Sequence, residues 1–234
     1  NHVAILPQEM WPRGITVNWY ITGKNSDKIS KSKGGAQPIP GAAAKFGVDA
    51  MRLYYAHVAS MFVDVEWSED TVMTYRQRVD RIFGAVQDLI ASESDSPKGE
   101  MDAWLMSRFN THLNEIRAAM EKYDLRQMTT TVYFDMYNDI KWYSRRGGSN
   151  AETIRAALKI WIQAMMPVTP HTAEELWESA GFEGLVSACQ LPDADPEEIS
   201  ASSEYGENLI RDVMSDITEI RKIAKMEPTR IVLY

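Results

Sequence analysis

The sequence predicts a mainly α-helical protein in which a helix bundle follows the tail of an α/β unit. After Trp67, apolar residues recur at the helical period of about 3.6 residues as far as Lys225. Before that point, residues 3–6 and 15–21 are short β-branched and aromatic segments, which predict strands. The chain has 234 residues, of which 44% are hydrophobic, so it can bury a core without a disulfide or a structural metal.

Start and stop signals divide the helical part of the sequence. Ser68 and Asn150 are typical N-cap residues, and Pro170 fits the first turn of a short helix. Gly147 and Gly148 predict the end of the helix that precedes Asn150. A first helical pattern starts at Ala42, and the expected helices of the bundle cover about residues 68–90, 105–123, 125–146, 150–165, 169–177 and 204–225.

Charge is unevenly distributed along the chain. The formal net charge is −8, yet residues 1–60 carry seven basic against three acidic side chains, a net of +4, which leaves −12 on the remainder. The mean acidity argues against wholesale coating of nucleic acid. A basic segment on an acidic body nevertheless points to an anionic ligand at that segment.

Cysteine and hydropathy patterns exclude several classes of protein. The single Cys189 rules out an internal disulfide framework and fits a reducing compartment, so a cytoplasmic protein is expected. No apolar run approaches the roughly 20 residues of a membrane span, and no membrane partner is expected. His171 has no second histidine at helical spacing, so we predict no protein-bound metal. No oligomer is implied.

The stretch that begins at Lys28 carries the clearest chemical signal. Lys28 and Lys31 alternate with Ser30 and Ser32, so ammonium groups and hydroxyls can face one anion, and the glycines that follow let the backbone approach it. Lysine suits a polyphosphate because it is a compact charge on a flexible stem. The spacing of a P-loop is absent. Charge alone leaves a second interpretation open, a solvated basic loop or a nuclear-localisation-like run.

The order of these residues resembles a family signature. Lys28–Ile29–Ser30–Lys31–Ser32 is similar to the Lys-Met-Ser-Lys-Ser signature of class I aminoacyl-tRNA synthetases, with Ile29 in place of methionine. The segments 46–54 and 166–177 also resemble segments of this class, the second one shared by the leucyl, isoleucyl and valyl enzymes. Residues 1–15 and 64–69 resemble the leucyl-tRNA synthetases of archaea and the eukaryotic cytosol.

The resemblance implies an architecture and a reaction. Residues 1–60 would end a catalytic nucleotide-binding (Rossmann-like) domain, residues 61–227 would form a helical bundle of the anticodon-binding type, and residues 228–234 would start a further domain. The full enzyme would activate leucine with ATP and transfer it to tRNA(Leu). Lys28 and Lys31 would be catalytic, and with Ser30 and Ser32 they would bind the phosphates of ATP, which carries Mg²⁺.

A basic patch in the bundle allows two interpretations. Trp142 is flanked by Lys141, Arg145 and Arg146 near the end of a predicted helix. The family resemblance implies that these residues contact the tRNA backbone. The alternative is that a helix C-terminus favours cations through its dipole.

Some features of the class are absent from the 234 residues. Neither its His-Ile-Gly-His signature nor a segment long enough for an inserted editing domain is present. The chain is therefore expected to be part of a longer enzyme and inactive alone. The alternatives are a fragment of an isoleucyl- or valyl-type synthetase, and a non-catalytic helical module that binds RNA or protein.

Overall fold

The computed structural model describes residues 5–15, 17, 20–23, 39–59, 64–92, 96–225, 230 and 232. Two short parallel strands, β1 (Ile21–Thr22) and β2 (Val65–Glu66), pair with Ile21 opposite Val65. The predicted strand at 15–21 is thus observed at Ile21, whereas the described residues of the one at 3–6 form no strand. A strand needs a neighbour to complete its hydrogen bonds, and the described part of the chain supplies only this pair.

Helices make up most of the described chain. A π-helical turn, Thr131–Asp135, joins α5 to α6, so the helix predicted over 125–146 has one irregular turn at its centre. Single 3₁₀ turns occur at Gln8–Met10 and Val186–Ala188. The α-helices are α1 (Ile39–Phe46), α2 (Val48–Val58), α3 (Glu69–Ala91), α4 (Glu100–Glu121), α5 (Leu125–Thr130), α6 (Met136–Arg145), α7 (Ala151–Met165), α8 (Pro170–Ser179) and α9 (Ala201–Ala224).

Side-chain caps fix the starts of these helices. The Ser68 hydroxyl accepts a hydrogen bond from the backbone N–H of Thr71 at 3.3 Å, which starts α3. The side chain of Asn150 does the same for Thr153 at 2.9 Å and starts α7. Each cap satisfies one of the N–H groups that the first turn of a helix leaves without a partner. Both predicted N-caps are confirmed.

Two hydrophobic clusters organise the molecule. The larger one fills the bundle between α4, α6, α7 and α8 around the fully buried rings of Trp104 and Trp161. The smaller one joins α1, α2, β2 and α3, and in it Phe46 and Tyr54 meet Trp67 edge to face. Helix α2 therefore lies between the two clusters, because it supplies Tyr54 to one and Leu53 to the other.

Helix α9 is attached to the bundle mainly by polar contacts, since none of its residues is buried. Glu204 accepts hydrogen bonds from the hydroxyl of Ser107 at 2.6 Å and from the guanidinium of Arg108 at 2.9 Å. Two turns further along, Arg211 donates to the buried carboxylate of Asp139 at 2.7 Å. The position of α9 thus depends on a buried carboxylate that belongs to α6.

Asp139 is the centre of a buried charge network. It also binds Arg108 and the Nε2 atom of His112, each at 2.9 Å. Burial disfavours the charged form of His112, but its hydrogen bonds to Asp139 and Glu115 outweigh burial and raise the pKa of this histidine. Arg108, His112 and Arg211 therefore share one buried carboxylate.

Acid is expected to weaken this network. Burial opposes the charge on Asp139, but the hydrogen bond from His112 and the nearby Arg108 outweigh burial and lower the pKa of Asp139 to about 2. A carboxyl with a lowered pKa stabilises the fold above its unfolded pKa of about 4 and loses that contribution as the pH falls towards 2. We expect a loss of about 2 kcal/mol in the free energy of unfolding from Asp139 alone, measured by urea denaturation between about pH 5 and about pH 2.

The matched control for this titration is Asp139→Asn, which cannot ionise. The decline attributed to Asp139 should be missing from the pH profile of this variant. Parallel profiles for the two proteins would show that the carboxylate does not act in this way.

Candidate functional site

The predicted phosphate-binding residues Lys28, Ser30, Lys31 and Ser32 lie outside the described residues. Their roles stay predictions. The structure does describe the segment that follows them, from α1 onward, and shows how this segment is connected to the bundle.

Asp49, in the first turn of α2, caps a helix of the bundle. Its Oδ2 atom accepts hydrogen bonds from the backbone N–H of Thr172 at 2.6 Å and from the hydroxyl of Thr172 at 2.7 Å. Its Oδ1 atom lies 3.0 Å from Nδ1 of His171. Because α8 begins at Pro170, the Thr172 N–H lies in its first turn and has no partner within its own helix. The N-terminus of a helix also favours a negative charge, which Asp49 supplies. Asp49 is only 7% exposed, so this contact is sheltered from solvent.

Arg52, one helical turn after Asp49, binds the segment that connects α7 to α8. Its Nε atom donates to the carbonyl of Val168 at 2.8 Å and its Nη2 atom to the carbonyl of Pro167 at 2.9 Å. These carbonyls follow the end of α7. Asp49 and Arg52 together therefore bind the α7–α8 turn through an acceptor and a donor, a contact that we call the α2–α8 joint.

The joint connects two segments that the sequence linked to one family. Residues 46–54 contain Asp49 and Arg52, and residues 166–177 contain all four of their partners. Sequence alone predicted each segment but not that the two would touch. The structure thus gives a physical reason for both segments, since one supplies the charges and the other supplies the backbone groups that these charges bind.

The far end of α2 is also fixed to the bundle. Arg126 of α5 donates to the carbonyl of His57 at 2.9 Å and to that of Val58 at 3.2 Å, the free carbonyls at the end of α2. The Nδ1 atom of His57 lies 3.0 Å from the hydroxyl of Thr129. With contacts at both ends, α2 and the bundle form one unit.

Gly47 makes the corner between α1 and α2. Its φ of +84° is a conformation that residues with a Cβ rarely adopt. A Cβ at this position would also lie 3.0 Å from Nη1 of Arg76, which donates to the carbonyl of Phe46. The direction in which the chain enters the joint therefore depends on glycine.

Loss of the Asp49 carboxylate is expected to destabilise the protein. Asp49→Ala removes a helix cap and leaves the N–H of Thr172 without its partner, so the free energy of unfolding should fall by about 2 kcal/mol in urea denaturation. Asp88→Ala, at an exposed position on α3, is the matched control and should change it by less than about 0.5 kcal/mol. Equal effects of the two substitutions would contradict the role assigned to the joint.

The four predicted tRNA contacts share one end of α6 but differ in their surroundings. Trp142 is 8% exposed and donates its Nε1–H to Glu207 of α9 at 2.8 Å. Arg146 binds the same carboxylate through two hydrogen bonds of 3.0 and 3.2 Å. Both side chains thus hold α9 in place. Lys141 and Arg145 are exposed, and no carboxylate in the described part of the chain pairs with them.

Among the described residues, no group of three or more histidine, cysteine, aspartate or glutamate side chains could hold a metal ion. None of the described helices is long and apolar enough to cross a membrane.

Comparison with known proteins identifies the bundle. Residues 102–231 match the family model described as the anticodon-binding domain of tRNA ligase, which is more than half of the chain. The chain belongs to this family. The anticodon-binding domain starts in α4 and includes α9, and the predictions of a mainly α-helical fold and of an anticodon-binding-type bundle are confirmed.

The most informative relatives of this anticodon-binding domain protein are leucine–tRNA ligases. The chain is 39% identical over 241 residues to the leucine–tRNA ligase of Methanocaldococcus jannaschii, which covers 100% of this chain and 25% of the relative. It is 34% identical to that of Methanococcus maripaludis, with 100% and 24% covered. The resemblance to leucyl-tRNA synthetases is thereby confirmed, and the chain spans about a quarter of the length of these relatives.

A solved structure shares the fold of the chain. It is a LeuRS of Agrobacterium radiobacter K84 in a ternary complex with tRNA and LeuAMS, with a TM-score of 0.68 and 22% sequence identity. The match covers 79% of this chain and 24% of that one. It shows that the arrangement of helices in this chain is that of a known fold.

Proposed function

We propose that this chain is the part of a leucine–tRNA ligase that connects the phosphate-binding loop of the catalytic site to the anticodon-binding domain. The α2–α8 joint carries the proposal, because Asp49 and Arg52 bind the segment that follows the signature to the bundle. The similarity to leucine–tRNA ligases, which covers the whole of this chain, favours leucine over isoleucine or valine.

The proposed reaction has two steps. The carboxylate of leucine attacks the α-phosphate of ATP, and pyrophosphate leaves. A ribose hydroxyl of the terminal adenosine of tRNA(Leu) then takes the leucyl group from the adenylate as an ester, and AMP leaves. Negative charge builds up on the departing pyrophosphate, so cations positioned there lower the barrier. Lys31 is the main phosphate contact in this proposal and Lys28 assists it, while Ser30 and Ser32 donate hydrogen bonds. Mg²⁺ accompanies ATP.

The proposal also assigns the parts of the chain. Residues 1–60 end the catalytic domain and carry the signature loop, residues 61–227 form the bundle, and residues 228–234 begin a further domain. The protein acts in the cytoplasm. The 234 residues alone should show no ATP–pyrophosphate exchange, because the His-Ile-Gly-His signature is not among them.

tRNA(Leu) is the proposed macromolecular partner. The family model and a structural neighbour in complex with tRNA support this assignment. Among the contacts predicted in the bundle, Lys141 and Arg145 are exposed to a partner, while Trp142 and Arg146 would act mainly by holding α9.

The test of this proposal is ATP–pyrophosphate exchange by the ligase that contains this chain, with leucine, isoleucine and valine supplied separately. Leucine should support the fastest exchange at equal concentration. A preference for isoleucine or valine would refute the assignment to leucine and keep the class. No exchange with any of the three would favour a non-catalytic helical module.

A further inference from the structure

Cations and aromatic rings meet on one face of the bundle, where α3 passes the π-helical turn and α6. The Cζ atom of Arg78 lies 4.3 Å from the ring centre of Phe134 and 5.6 Å from that of Tyr137. The Nζ atom of Lys141 lies 5.6 Å from the same Tyr137 ring centre. Arg81, one turn from Arg78, is exposed. We call these five residues the cation–aromatic surface.

Within the described residues, no carboxylate pairs with Arg78, Arg81 or Lys141, whereas Arg108 and Arg146 each bind a glutamate. Arg81 donates to the carbonyl of Gln77 in its own helix at 3.1 Å. In the described part of the chain, the three positive charges are therefore not neutralised by ion pairs. The negative faces of the two rings attract these cations and offset part of the repulsion between them. The rings carry no net charge, so the positive charge of the surface stays the same.

Arg78 is held in place with its donors unused. The described part of the chain offers its guanidinium no hydrogen-bond acceptor, and its nitrogen atoms are not among those sealed from solvent. A guanidinium that is packed against an aromatic ring, as the 4.3 Å from Cζ of Arg78 to the centre of Phe134 indicates, has already lost much of its conformational freedom. It can therefore bind an oxyanion with a smaller entropy cost than a free side chain.

Neighbouring cations act on two groups at and beside this surface. Burial, followed by the neighbouring Arg81, lowers the pKa of Arg78. Burial, followed by Arg126 and Arg78, lowers the pKa of His57. Burial is the larger cause of both shifts, and the neighbouring positive charges act in the same direction.

We propose that the cation–aromatic surface binds the phosphodiester backbone of tRNA. The inference rests on the proposed function and extends it, since Arg78, Arg81, Phe134 and Tyr137 were not predicted from the sequence. The guanidinium of Arg78 matches the geometry of a phosphate, and Lys141 and Arg81 add charge beside it. The rings hold the cations, so the contact positions the RNA without selecting a base sequence.

Salt dependence of tRNA binding tests this surface. Binding of tRNA(Leu) to the 234-residue chain is measured by fluorescence anisotropy between about 50 and about 200 mM salt, for the wild type and for Arg78→Gln, Arg81→Ala and Lys141→Ala. Each substitution should weaken binding at low salt and reduce the slope of log affinity against log salt by about 1. Lys159→Ala, an exposed lysine on α7, is the matched control and should leave the slope unchanged.

Several outcomes would overturn the inference. Unchanged slopes in Arg81→Ala and Lys141→Ala, whose exposed side chains leave the fold intact, would do so even if Arg78→Gln proved unstable. So would a wild-type chain that binds neither tRNA nor single-stranded RNA, since the surface would then suit another partner such as an acidic protein. The exchange assay above tests the proposed function separately, because leucine activation consumes no tRNA.

Discussion

Lys31→Ala is expected to lower leucine-dependent ATP–pyrophosphate exchange by about 10²- to 10³-fold in the proposed ligase that contains this chain. The ammonium group of Lys31 would stabilise charge on the pyrophosphate that leaves, and removal of one preorganised donor to developing charge typically has an effect of this size. The loss should appear in kcat, because the interaction strengthens in the transition state.

Lys33→Ala is the matched control for this prediction. Lys33 belongs to the same basic stretch but lies just outside the five-residue signature. Removal of the Lys33 side chain should lower ATP–pyrophosphate exchange by less than about tenfold. If Lys31→Ala and Lys33→Ala reduced exchange equally, the stretch would act through its net charge alone, and the assignment of Lys31 as the main phosphate contact would be wrong.

Asp139→Ala is expected to lower the free energy of unfolding by about 3–5 kcal/mol, because three cations lose the buried carboxylate that they share. Asp139 is 2% exposed and binds Arg108, His112 and Arg211 at once. Urea denaturation monitored by tryptophan fluorescence measures the change. Because Arg211 belongs to α9, that helix should also become more accessible to proteases.

Asp80→Ala provides the comparison with an exposed ion pair. Asp80 binds Arg76 at 2.9 Å on the surface of α3, where such a pair is worth less than about 1 kcal/mol. If Asp139→Ala cost no more than Asp80→Ala, the buried network would contribute little to stability. The attachment of α9 would then have to come from its half-buried apolar residues.

Local signals in the sequence were sufficient for most of the fold. Ser68 and Asn150 correctly predicted the starts of α3 and α7, because an N-cap hydrogen bond joins residues only three positions apart. The helical period located the bundle because it is repeated over many turns. The π-helical turn was missed, since its i→i+5 bonds leave no separate mark on a period of 3.6 residues.

Contacts between residues far apart in the chain could not be predicted from the sequence. The sequence places Asp49 within the helical pattern that starts at Ala42, but its partner Thr172 lies 123 positions away. Trp142 was singled out by its basic neighbours, and only the structure shows that Glu207 of α9 takes its N–H. Periodicity indicates that a residue is on a helix but not which neighbour it meets. The joint and the cation–aromatic surface therefore required the folded arrangement.

Helix α2 is bound to the bundle at both of its ends. Asp49 and Arg52 hold its first turns and Arg126 holds its last, so a displacement of the bundle would be passed to the segment that follows the signature loop. Helix α2 thus links the part of the chain that would bind phosphate to the part that would bind tRNA.

The most direct test of the central claim is the charging of purified tRNA by the ligase that contains this chain. The proposal predicts that leucine becomes attached to the terminal adenosine of tRNA(Leu), and that tRNA(Ile) and tRNA(Val) remain uncharged under the same conditions. Attachment of isoleucine or valine to their own tRNAs, or no charging while the protein is folded, would contradict it.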